Sequence, residues 1–385
     1  MKQYKKMGEI CTVISGTTPK SNKAEYWNGN CVWITPAEIS EDSVYISDSE
    51  RHITDIAVKE SSLKSFPKGT VILSSRAPIG KVAIAGCEMY CNQGFKNLIC
   101  SDAIYNGYLY FYLKAKKDYL NALGRGATFK EISKKIVENI EIPLPEIPEQ
   151  KRVAAILFKI DTIIQRKNSQ LQKLEELVKS RFIEMFGDPN SKLGKYSQQA
   201  LESICSKIND GEHGSVPRIE KGIIFLNAKN IKKNGTIDWE QVTYIDEVIH
   251  NRIYKRCNPE PGDILLTTTG TIGNACIVPC VEQFSMDRGI TLVKPNHKIV
   301  DSIFLITLLR SQYLQSCMNQ NIHASAIGHL FLNKVKKLPV FVPPIDLQNE
   351  FADFVKSIDK SKLAIQKSLD DLETLKKSLM QKYFG

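Results

Sequence analysis

The segment "RAPIGKV" at residues 76–82 comes closest in this sequence to a loop that binds a nucleotide phosphate. A P-loop needs a glycine five positions before its Gly-Lys pair and a serine or threonine after the lysine, because backbone N–H groups and a hydroxyl surround the phosphates and their metal. Here Ser75 stands where the first glycine is required, and Val82 follows Lys81. The pattern therefore favours a turn with an exposed lysine over a phosphate site.

Other catalytic spacings are also incomplete. An amino-methyltransferase motif needs Asn or Asp before two adjacent prolines and an aromatic residue, but "CNPEPGD" (257–263) and "GDPN" (187–190) lack the second proline and the ring. No GxGxxG follows a strand pattern, no HExxH occurs, and no GxSxG lies at a strand-to-helix turn. We interpret the chain as a binding protein without an active site of its own. An enzyme with an unrecognised site is a more distant alternative.

The ten cysteines and six histidines are dispersed along the chain. The pairs Cys87/Cys91 and Cys276/Cys280 have a CxxxC spacing, but neither has a second Cys or His pair at zinc-finger spacing. A cytosolic chain also keeps its thiols reduced. Free thiols are favoured, and a metal site is the alternative.

Charge and hydropathy limit the partners. The formal net charge of +10 fits a polyanion, since lysines and arginines that displace counterions from phosphates supply much of the affinity for nucleic acid. No apolar run approaches the length that crosses a bilayer, and the basic start is not followed by a signal-peptide stretch. We expect a cytoplasmic protein that makes no membrane contact.

The sequence contains a long internal repeat. Residues 140–187 align without a gap with residues 338–385. The identities include Pro145/Pro343, Ile147/Ile345, Gln150/Gln348, Ile160-Asp161/Ile358-Asp359, Leu171/Leu369, Leu174/Leu372, Leu177/Leu375 and Phe186-Gly187/Phe384-Gly385. A repeat of this length indicates a duplicated unit of about half the chain.

The similarity continues upstream of the repeated segments. "FPKGTVILSSRAPIGKVAIAG" (66–86) resembles "PEPGDILLTTTGTIGNACIVP" (259–279), so that Gly69 corresponds to Gly262 and Gly80 to Gly273. Short β-branched runs bounded by Gly, Pro, Asn and Asp predict strands in both copies. Together with helical stretches at 103–123 and 301–319, they predict an α+β fold for each globular part.

Each copy of the repeat predicts a long helix with a coiled-coil stripe. In the first copy the stripe consists of Val153, Leu157, Ile160, Ile164, Leu171, Leu174 and Val178; in the second it consists of Phe351, Val355, Ile358, Ile365, Leu369 and Leu372. Two copies in one chain favour antiparallel pairing with each other over dimerisation between chains.

The repeat and the segments "SGTTPKSN", "GTVILSSRAPIGKVA" and "IPLPEIPEQKRVAAIL" resemble the specificity subunits of type I restriction-modification systems over essentially the whole chain. The resemblance implies an α+β fold with two similar α/β target-recognition domains separated by two long antiparallel coiled-coil helices, in a pseudo-two-fold internal repeat. The corresponding boundaries are 1–147 for the first recognition domain, 148–187 for the central spacer helix, 188–345 for the second recognition domain and 346–385 for the C-terminal spacer helix.

The same resemblance implies the function. Each recognition domain reads one half-site of a bipartite double-stranded DNA target, and the paired helices set the gap between the half-sites. Two methyltransferase subunits and restriction subunits join the complex. S-adenosylmethionine, ATP and Mg²⁺ are expected on those partners, with no catalytic residue, cofactor or metal in this chain. The alternative is a stand-alone DNA-binding or structural protein that dimerises through its coiled coils.

The expected DNA contacts lie in polar loops between the apolar runs. In the first copy they are Thr17, Thr18, Lys20, Ser21, Lys23, Ser74, Ser75, Arg76, Gln93, Lys96, Arg125, Thr128 and Lys130. In the second copy they are His213, Ser215, Arg218, Lys229, Lys232, Lys233, Thr267, Thr268, Thr269, Arg288, His323 and Ser325. The expected partner contacts are Glu149, Gln150 and Gln348; Leu347 replaces the acidic residue in the second copy, which predicts docking sites of unequal strength. For any single loop residue, a solvated side chain is the alternative.

Overall fold

The computed structural model describes residues 3–40, 43–126, 130–188, 196–322 and 328–385. The chain divides into two compact units. Unit 1 comprises Met1–Ser169 and Gln366–Gly385, and unit 2 comprises Gln170–Ile365. Each unit combines one globular part with half of each of two long helices.

Short β-branched and aromatic runs form the strands of unit 1, since such side chains pack well on a pleated surface. The strands are β1 (Tyr4–Lys6), β2 (Cys11–Ser15), β3 (Trp27–Ile34), β4 (Tyr45–Ile46), β5 (His52–Ile53), β6 (Val71–Leu73), β7 (Val82–Ala85), β8 (Tyr90–Cys91), β9 (Lys96–Cys100) and β10 (Glu141–Pro143). The short helices are α1 (Met7–Ile10), α2 (Asp55–Glu60), α3 (Asn106–Ala115), α4 (Lys117–Leu123) and α5 (Lys134–Glu138).

Two mixed sheets carry the loops of unit 1. In its described residues, a five-stranded sheet has the order β2-β9-β6-β7-β4 and a three-stranded sheet the order β5-β3-β8, while β1 pairs with β10. Strands β3 and β8 run parallel, with Ile34 opposite Cys91. Helix α3 packs on the larger sheet, where Tyr108 and Phe111 share one buried core with Leu98.

Unit 2 repeats this construction. Its strands are β11 (Gln198–Ala200), β12 (Cys205–Asp210), β13 (Ile223–Leu226), β14 (Thr243–Ile245), β15 (Ile264–Thr267), β16 (Ala275–Ile277), β17 (Ser285–Met286), β18 (Ile290–Pro295) and β19 (Pro339–Phe341). The helices from the first long helix onward are α6 (Ile147–Phe186), α7 (Glu247–Arg256), α8 (Ser302–Leu309), α9 (Gln312–Gln320), α10 (Leu332–Lys336) and α11 (Ile345–Phe384). Helices α6 and α11 are the two long ones that both units share.

The sheets of unit 2 repeat those of unit 1 in order and direction, except that β4 has no counterpart among the described strands of unit 2. Over the part of unit 2 that the structure describes, a four-stranded sheet has the order β12-β18-β15-β16, a three-stranded sheet the order β14-β13-β17, and β11 pairs with β19. Strands β13 and β17 run parallel, with Leu226 opposite Met286, as Ile34 lies opposite Cys91 in unit 1. The α+β fold and the internal repeat that the sequence predicts are therefore present.

The glycines paired by the alignment occupy equivalent turns. Gly80 and Gly273 have φ values of +91° and +89°, in the left-handed region that glycine enters without strain. Their backbone N–H groups donate to Ser74 O at 3.0 Å and Thr267 O at 2.9 Å respectively. The same turn therefore follows the equivalent strands β6 and β15, and a side chain at either glycine would strain it.

In unit 1, the long helices pair antiparallel. Arg152 Nη2 donates to Tyr383 Oη at 3.1 Å, and Lys376 Nζ lies 2.5 Å from Asp161 Oδ1. From the first contact to the second, the residue number rises in α6 and falls in α11, so the two helices run in opposite directions. The predicted stripe is buried at this end, since Val153 and Leu157 have 0% and 1% of their surface exposed.

In unit 2, aromatic rings join the end of α6 to the start of α11. The Phe351 ring centroid lies 5.4 Å from that of Phe182 and 5.5 Å from that of Phe186. Phe304 of α8 packs on the same cluster, with its centroid 4.9 Å from that of Phe186. Aromatic pairs at such distances add to the free energy of burial, so this cluster anchors both helices to the core of unit 2.

A buried glutamine fixes the start of each long helix. Gln150 is fully buried, and its Nε2 donates to Ala103 O at 3.0 Å and to Pro145 O at 2.8 Å, while its Oε1 accepts from Tyr105 N at 2.8 Å. A side-chain amide whose donors and acceptor are all paired holds one geometry, because any rotation leaves buried polar groups unsatisfied. The entry to α6 is thus tied to the loop before α3.

Gln348 makes the equivalent set of bonds in unit 2. It is also fully buried; Nε2 donates to Ile299 O at 3.1 Å and Pro343 O at 2.7 Å, and Oε1 accepts from Asp301 N at 2.9 Å. The entry to α11 is thereby tied to the loop before α8. We call the two sets of bonds the glutamine locks.

The described residues also bear on metals, thiols and membranes. All ten cysteines are free, and burial raises the pKa of Cys91 and of Cys276 to about 12. Among the described side chains, no group of three or more His, Cys, Asp or Glu residues is arranged to hold a metal ion. None of the helices described is both long and apolar enough to cross a membrane.

We predict that Gln150→Leu lowers the free energy of unfolding by about 3 kcal/mol, because it removes three hydrogen bonds to backbone groups at about 1 kcal/mol each. Urea unfolding followed by circular dichroism measures the change. The control is Gln172→Leu on the exposed face of α6, which should shift stability by no more than about 0.5 kcal/mol. A loss for Gln150→Leu as small as that of the control would contradict the lock.

Candidate nucleic-acid interface

The polar loops of unit 1 meet at the turn between β8 and β9; we call residues 92–94 turn 1. The Asn92 backbone N–H donates to Ile34 O at 3.1 Å, which fixes the turn to β3. Within the turn, Gly94 N donates to Asn92 Oδ1 at 2.8 Å. The Gly94 carbonyl accepts from Ser75 N at 2.7 Å and so ties the turn to the loop after β6.

A cleft of about 520 Å³ opens beside turn 1. Its lining consists of Thr35, Pro36, Ala37, Arg76, Ala77, Asn92 and Glu131. Lys96 Nζ lies 3.0 Å from Glu131 Oε1, so this carboxylate is neutralised within the protein. The partly exposed Arg76 then leaves the cleft with a positive charge that suits an anion.

Three of the predicted DNA contacts lie together at turn 1. Thr17 N donates to Cys91 O at 3.0 Å, and the Thr18 hydroxyl donates to Gln93 Oε1. Thr17, Thr18 and Gln93 are all exposed. The Trp33 indole N–H donates to Thr17 O at 3.2 Å, so the core of unit 1 holds the loop against the turn.

Other predicted contacts surround this group. Lys20 and Ser21 are exposed further along the loop that holds Thr18. Arg125 pairs through its backbone with Glu131, and Lys130 is exposed beside it. Lys23 is held within the protein instead, because its Nζ lies 2.9 Å from Glu60 Oε2 and 3.0 Å from Tyr26 Oη.

Three of the predicted DNA contacts, Ser74, Ser75 and Lys96, lie inside unit 1 in this structure. All three are buried, and their polar atoms have partners inside unit 1. The Ser74 hydroxyl donates to Pro78 O at 2.7 Å and accepts from Lys81 N at 2.8 Å. Lys96 Nζ bonds to Ser75 Oγ at 3.3 Å as well as to Glu131. These residues shape the loops rather than face a ligand.

Unit 2 builds the same turn from residues 287–289, which we call turn 2. Asp287 N donates to Leu226 O at 3.0 Å, and Gly289 N donates to Asp287 Oδ1 at 2.9 Å. The Gly289 carbonyl accepts from Thr268 N at 2.8 Å. Each bond has a counterpart in turn 1 that differs by 0.1 Å, so the backbone framework is duplicated.

The side chains on the second framework differ from those on the first. Arg288 stands exposed where unit 1 has Gln93. Thr269 Oγ1 lies 2.8 Å from His329 Nδ1, at the positions that Arg76 and Glu131 occupy in unit 1. The framework therefore presents different hydrogen-bonding groups in the two units.

The remaining predicted DNA contacts differ in their surroundings. His213, Ser215, Lys229, Lys233 and Arg218 are exposed, and the Arg218 guanidinium lies 4.1 Å from the Phe225 ring centroid. Lys232 is paired with Asp238 at 2.8 Å. Thr267 and Thr268 are fully buried and bond to backbone carbonyls, so the structure does not bring them to the surface. Thr128, His323 and Ser325 lie outside the described residues.

Two of the expected partner contacts also lie inside the protein. The side chains of Gln150 and Gln348 form the glutamine locks and are fully buried, so they have no free group for another subunit. Glu149 is partly exposed and forms a bidentate ion pair with Arg152, with both N–O distances at 2.6 Å. It remains a predicted partner contact.

Sequence reasoning missed Thr35, Asn92, Glu131, Asp287 and His329. The first three line the cleft, and the last two occupy the corresponding framework positions in unit 2. A usable signal was present, because "NQG" (92–94) and "DRG" (287–289) stand just before β9 and β18. An Asx residue two positions before glycine is typical of a turn closed by its own side chain.

Burial raises the pKa of Asp287 above its ordinary value of 3.8, against the opposing effects of Gly289 N–H, Arg218 and Arg288. The site therefore disfavours the charged form of this carboxyl group. In unit 1 the neutral Asn92 occupies this position, and its Oδ1 accepts the equivalent hydrogen bond from Gly94 N.

The two units together define the class of this protein: a duplicated α+β binding protein with one loop framework and two different sets of exposed polar side chains. The chain belongs to the family of the type I restriction modification DNA specificity domain, whose model matches residues 2–176 and 208–374. The two matched segments correspond to the two copies of the repeat.

Individual relatives agree with this assignment. The chain is 29% identical over 399 residues to the type I restriction enzyme MjaIX specificity subunit of Methanocaldococcus jannaschii, covering 98% of this chain and 91% of that protein. It is 32% identical over 187 residues to the EcoR124I/EcoR124II specificity subunit of Escherichia coli, covering 47% and 46%.

Solved structures share the fold. A crystal structure of a type I restriction-modification S subunit from M. genitalium matches 100% of this chain and 96% of its own, with a TM-score of 0.63 and 18% identity. A chain from a structural study of type I restriction-modification complex assembly matches 99% and 97%, with a TM-score of 0.59 and 17% identity.

We predict that Asp287→Asn raises the free energy of unfolding at about pH 7, since asparagine keeps the acceptor for Gly289 N and removes the disfavoured charge. A raised folded-state pKa means that the cost of ionisation is present above that pKa and is lost as the pH falls towards 3.8. Urea unfolding across this range should therefore show a gain that shrinks with falling pH. The reciprocal Asn92→Asp in unit 1 should lower stability at neutral pH, and a gain there would contradict the interpretation.

Proposed function

We propose that this specificity subunit binds a bipartite double-stranded DNA target, and that each unit reads one half-site. Two methyltransferase subunits dock on the chain and modify an adenine in each half-site, and restriction subunits complete the complex. The long helices α6 and α11 set the nonspecific gap between the half-sites. In this proposal the chain recognises DNA in the cytoplasm and its partners carry out the chemistry.

One observation carries the proposal: the same backbone framework occurs twice with different exposed side chains. A protein that reads one sequence twice would keep both the framework and its side chains. A framework that keeps its hydrogen bonds while Arg76 is replaced by Thr269, and Gln93 by Arg288, suits two readers of unrelated half-sites. The two relatives described above are both specificity subunits, which supports the same function.

The exposed residues divide by the kind of contact they suit. Lysines, serines and threonines such as Lys20, Lys130 and Lys233 suit phosphates, where a point charge or a hydroxyl is sufficient. Arginine and glutamine suit base edges, because their paired donor and acceptor groups match guanine or adenine. The net charge of +10 favours association with DNA of any sequence.

We place a methyltransferase contact at the start of α6, where Glu149, Arg152 and Tyr383 share a surface of unit 1. At the equivalent place in unit 2, Leu347 replaces Glu149 and Glu350 is paired with Arg181 at 2.9 Å. The charges are therefore rearranged, which favours two docking sites of unequal strength. S-adenosylmethionine would bind to the methyltransferase subunits, and ATP with Mg²⁺ to the restriction subunits.

The test is to express the chain with its methyltransferase and to sequence the methylated bases of the host genome. A bipartite motif with an adenine methylated in each half is expected. An undivided motif, or methylation without sequence preference, would contradict the two-reader proposal. Expression of either protein alone should leave the genome unmethylated at that motif.

We further predict that Lys233→Ala weakens DNA binding to all sequences alike and lowers the slope of log affinity against log salt by about 1, because one phosphate contact is lost. Fluorescence anisotropy at several salt concentrations measures both. Lys232→Ala is the matched control, since Lys232 is already paired with Asp238. If the Lys233 variant changed the preferred sequence, the residue would contact a base instead.

A further inference from the structure

The first and third residues of turns 1 and 2 are committed to the backbone. Asn92 Oδ1 and Asp287 Oδ1 each accept from the glycine N–H two positions later. A Cβ on Gly94 would lie 3.0 Å from Asn92 Oδ1 and 3.1 Å from Pro36 Cγ, and a Cβ on Gly289 would lie 3.0 Å from Asp287 Oδ1. A Cβ at either glycine would therefore require these neighbours to shift by a few tenths of an ångström.

The middle residue of each turn is exposed instead. In turn 1 it is Gln93, and in turn 2 it is Arg288. None of the three bonds that close each framework involves the side chain of this residue. The side chain at this position can therefore change without loss of the bonds that hold its Cα in place.

The two middle residues differ in the chemistry of recognition. A glutamine amide pairs with the N6 and N7 edge of adenine, and an arginine guanidinium pairs with O6 and N7 of guanine, both in the major groove. The Thr18 hydroxyl donates to Gln93 Oε1 and so orients that amide, while the second lone pair of the oxygen and both amide hydrogens stay available. A base reader needs such an orientation, because bidentate pairing fails when the amide plane rotates.

Positive side chains flank both turns. The Cβ position of Gly94 is 3.6 Å from Arg76 Cγ, which places this arginine directly beside turn 1. Beside turn 2, Arg218 stacks on Phe225 and its Nη1 donates to Val216 O at 2.5 Å. Both arginines suit a phosphate next to the base that the middle residue contacts.

We propose that Gln93 and Arg288 are equivalent specificity-determining residues, each of which selects one base pair in its own half-site: Gln93 an adenine and Arg288 a guanine. This assignment rests on the proposed function, in which each unit reads one half-site. It explains why turns with the same hydrogen bonds differ in their middle residue. The exchange of that residue changes one letter of the target and leaves the framework intact.

The experiment exchanges the two residues in the complete complex with its methyltransferase. Gln93→Arg should replace adenine by guanine at one position of one half-site, with a preference of roughly 10- to 100-fold for the new base. Arg288→Gln should make the reverse change in the other half-site. Sequencing of methylated DNA from cells that express each complex gives both motifs directly.

Matched controls carry the same exchanges outside the turns. Gln3→Arg and Arg252→Gln alter exposed side chains of units 1 and 2 and should leave both half-sites unchanged. An unchanged motif in Gln93→Arg and in Arg288→Gln would overturn the assignment while the bipartite wild-type motif still supported the proposed function. A wild-type complex without a bipartite motif would overturn both.

If the complex with Gln93→Arg methylates no DNA, a second variant tests the assignment. Gln93→Ala should relax the requirement at a single position and keep every other letter, because only one base contact is removed. Retention of the full wild-type motif by Gln93→Ala overturns the assignment. Loss of all methylation by Gln93→Ala, in a complex that still assembles by size-exclusion chromatography, overturns it as well.

Discussion

Each unit depends on a single buried amide at the start of a long helix. The amide of Gln150 or Gln348, which projects from the helix, bonds to two backbone groups of the loop before α3 or α8 and to one of the segment before the helix. No apolar residue could satisfy those groups, and a shorter amide would not reach them. The globular part and the helix of each unit are consequently fixed to each other by hydrogen bonds as well as by the apolar core.

The sequence predicted the elements whose signals are local. Helices α6 and α11 begin and end at aligned residues because their stripes and proline entries repeat, and Gly80 and Gly273 take the same left-handed turn. Gln150 and Gln348 were recognised as a repeated pair, but the sequence did not tell whether they served a partner or the fold. Only burial distinguishes these two roles.

The same reason explains why some predicted DNA contacts lie inside the protein. Ser74, Ser75, Thr267 and Thr268 stand in polar loop segments, and a hydroxyl looks alike in sequence whether it faces solvent or a carbonyl of the next turn. The structure assigns them to the loop interior, where the Ser74 and Thr267 hydroxyls close equivalent turns. Arg76 is partly exposed and Arg288 is exposed, since a long charged side chain is rarely buried without a partner.

The ring of Phe384 packs on Tyr108 and Tyr112 in the core of unit 1, at centroid distances of 5.1 and 5.9 Å. On the ribosome, all of Gln170–Ile365 is made between the two parts of unit 1. At synthesis rates of about 5 to 20 residues per second, this interval lasts roughly 10 to 40 s. During that time the first part of unit 1 exposes the apolar surface that its distant segment will cover. A nascent chain of this protein is therefore open to chaperones for longer than the order of its two repeats alone would suggest.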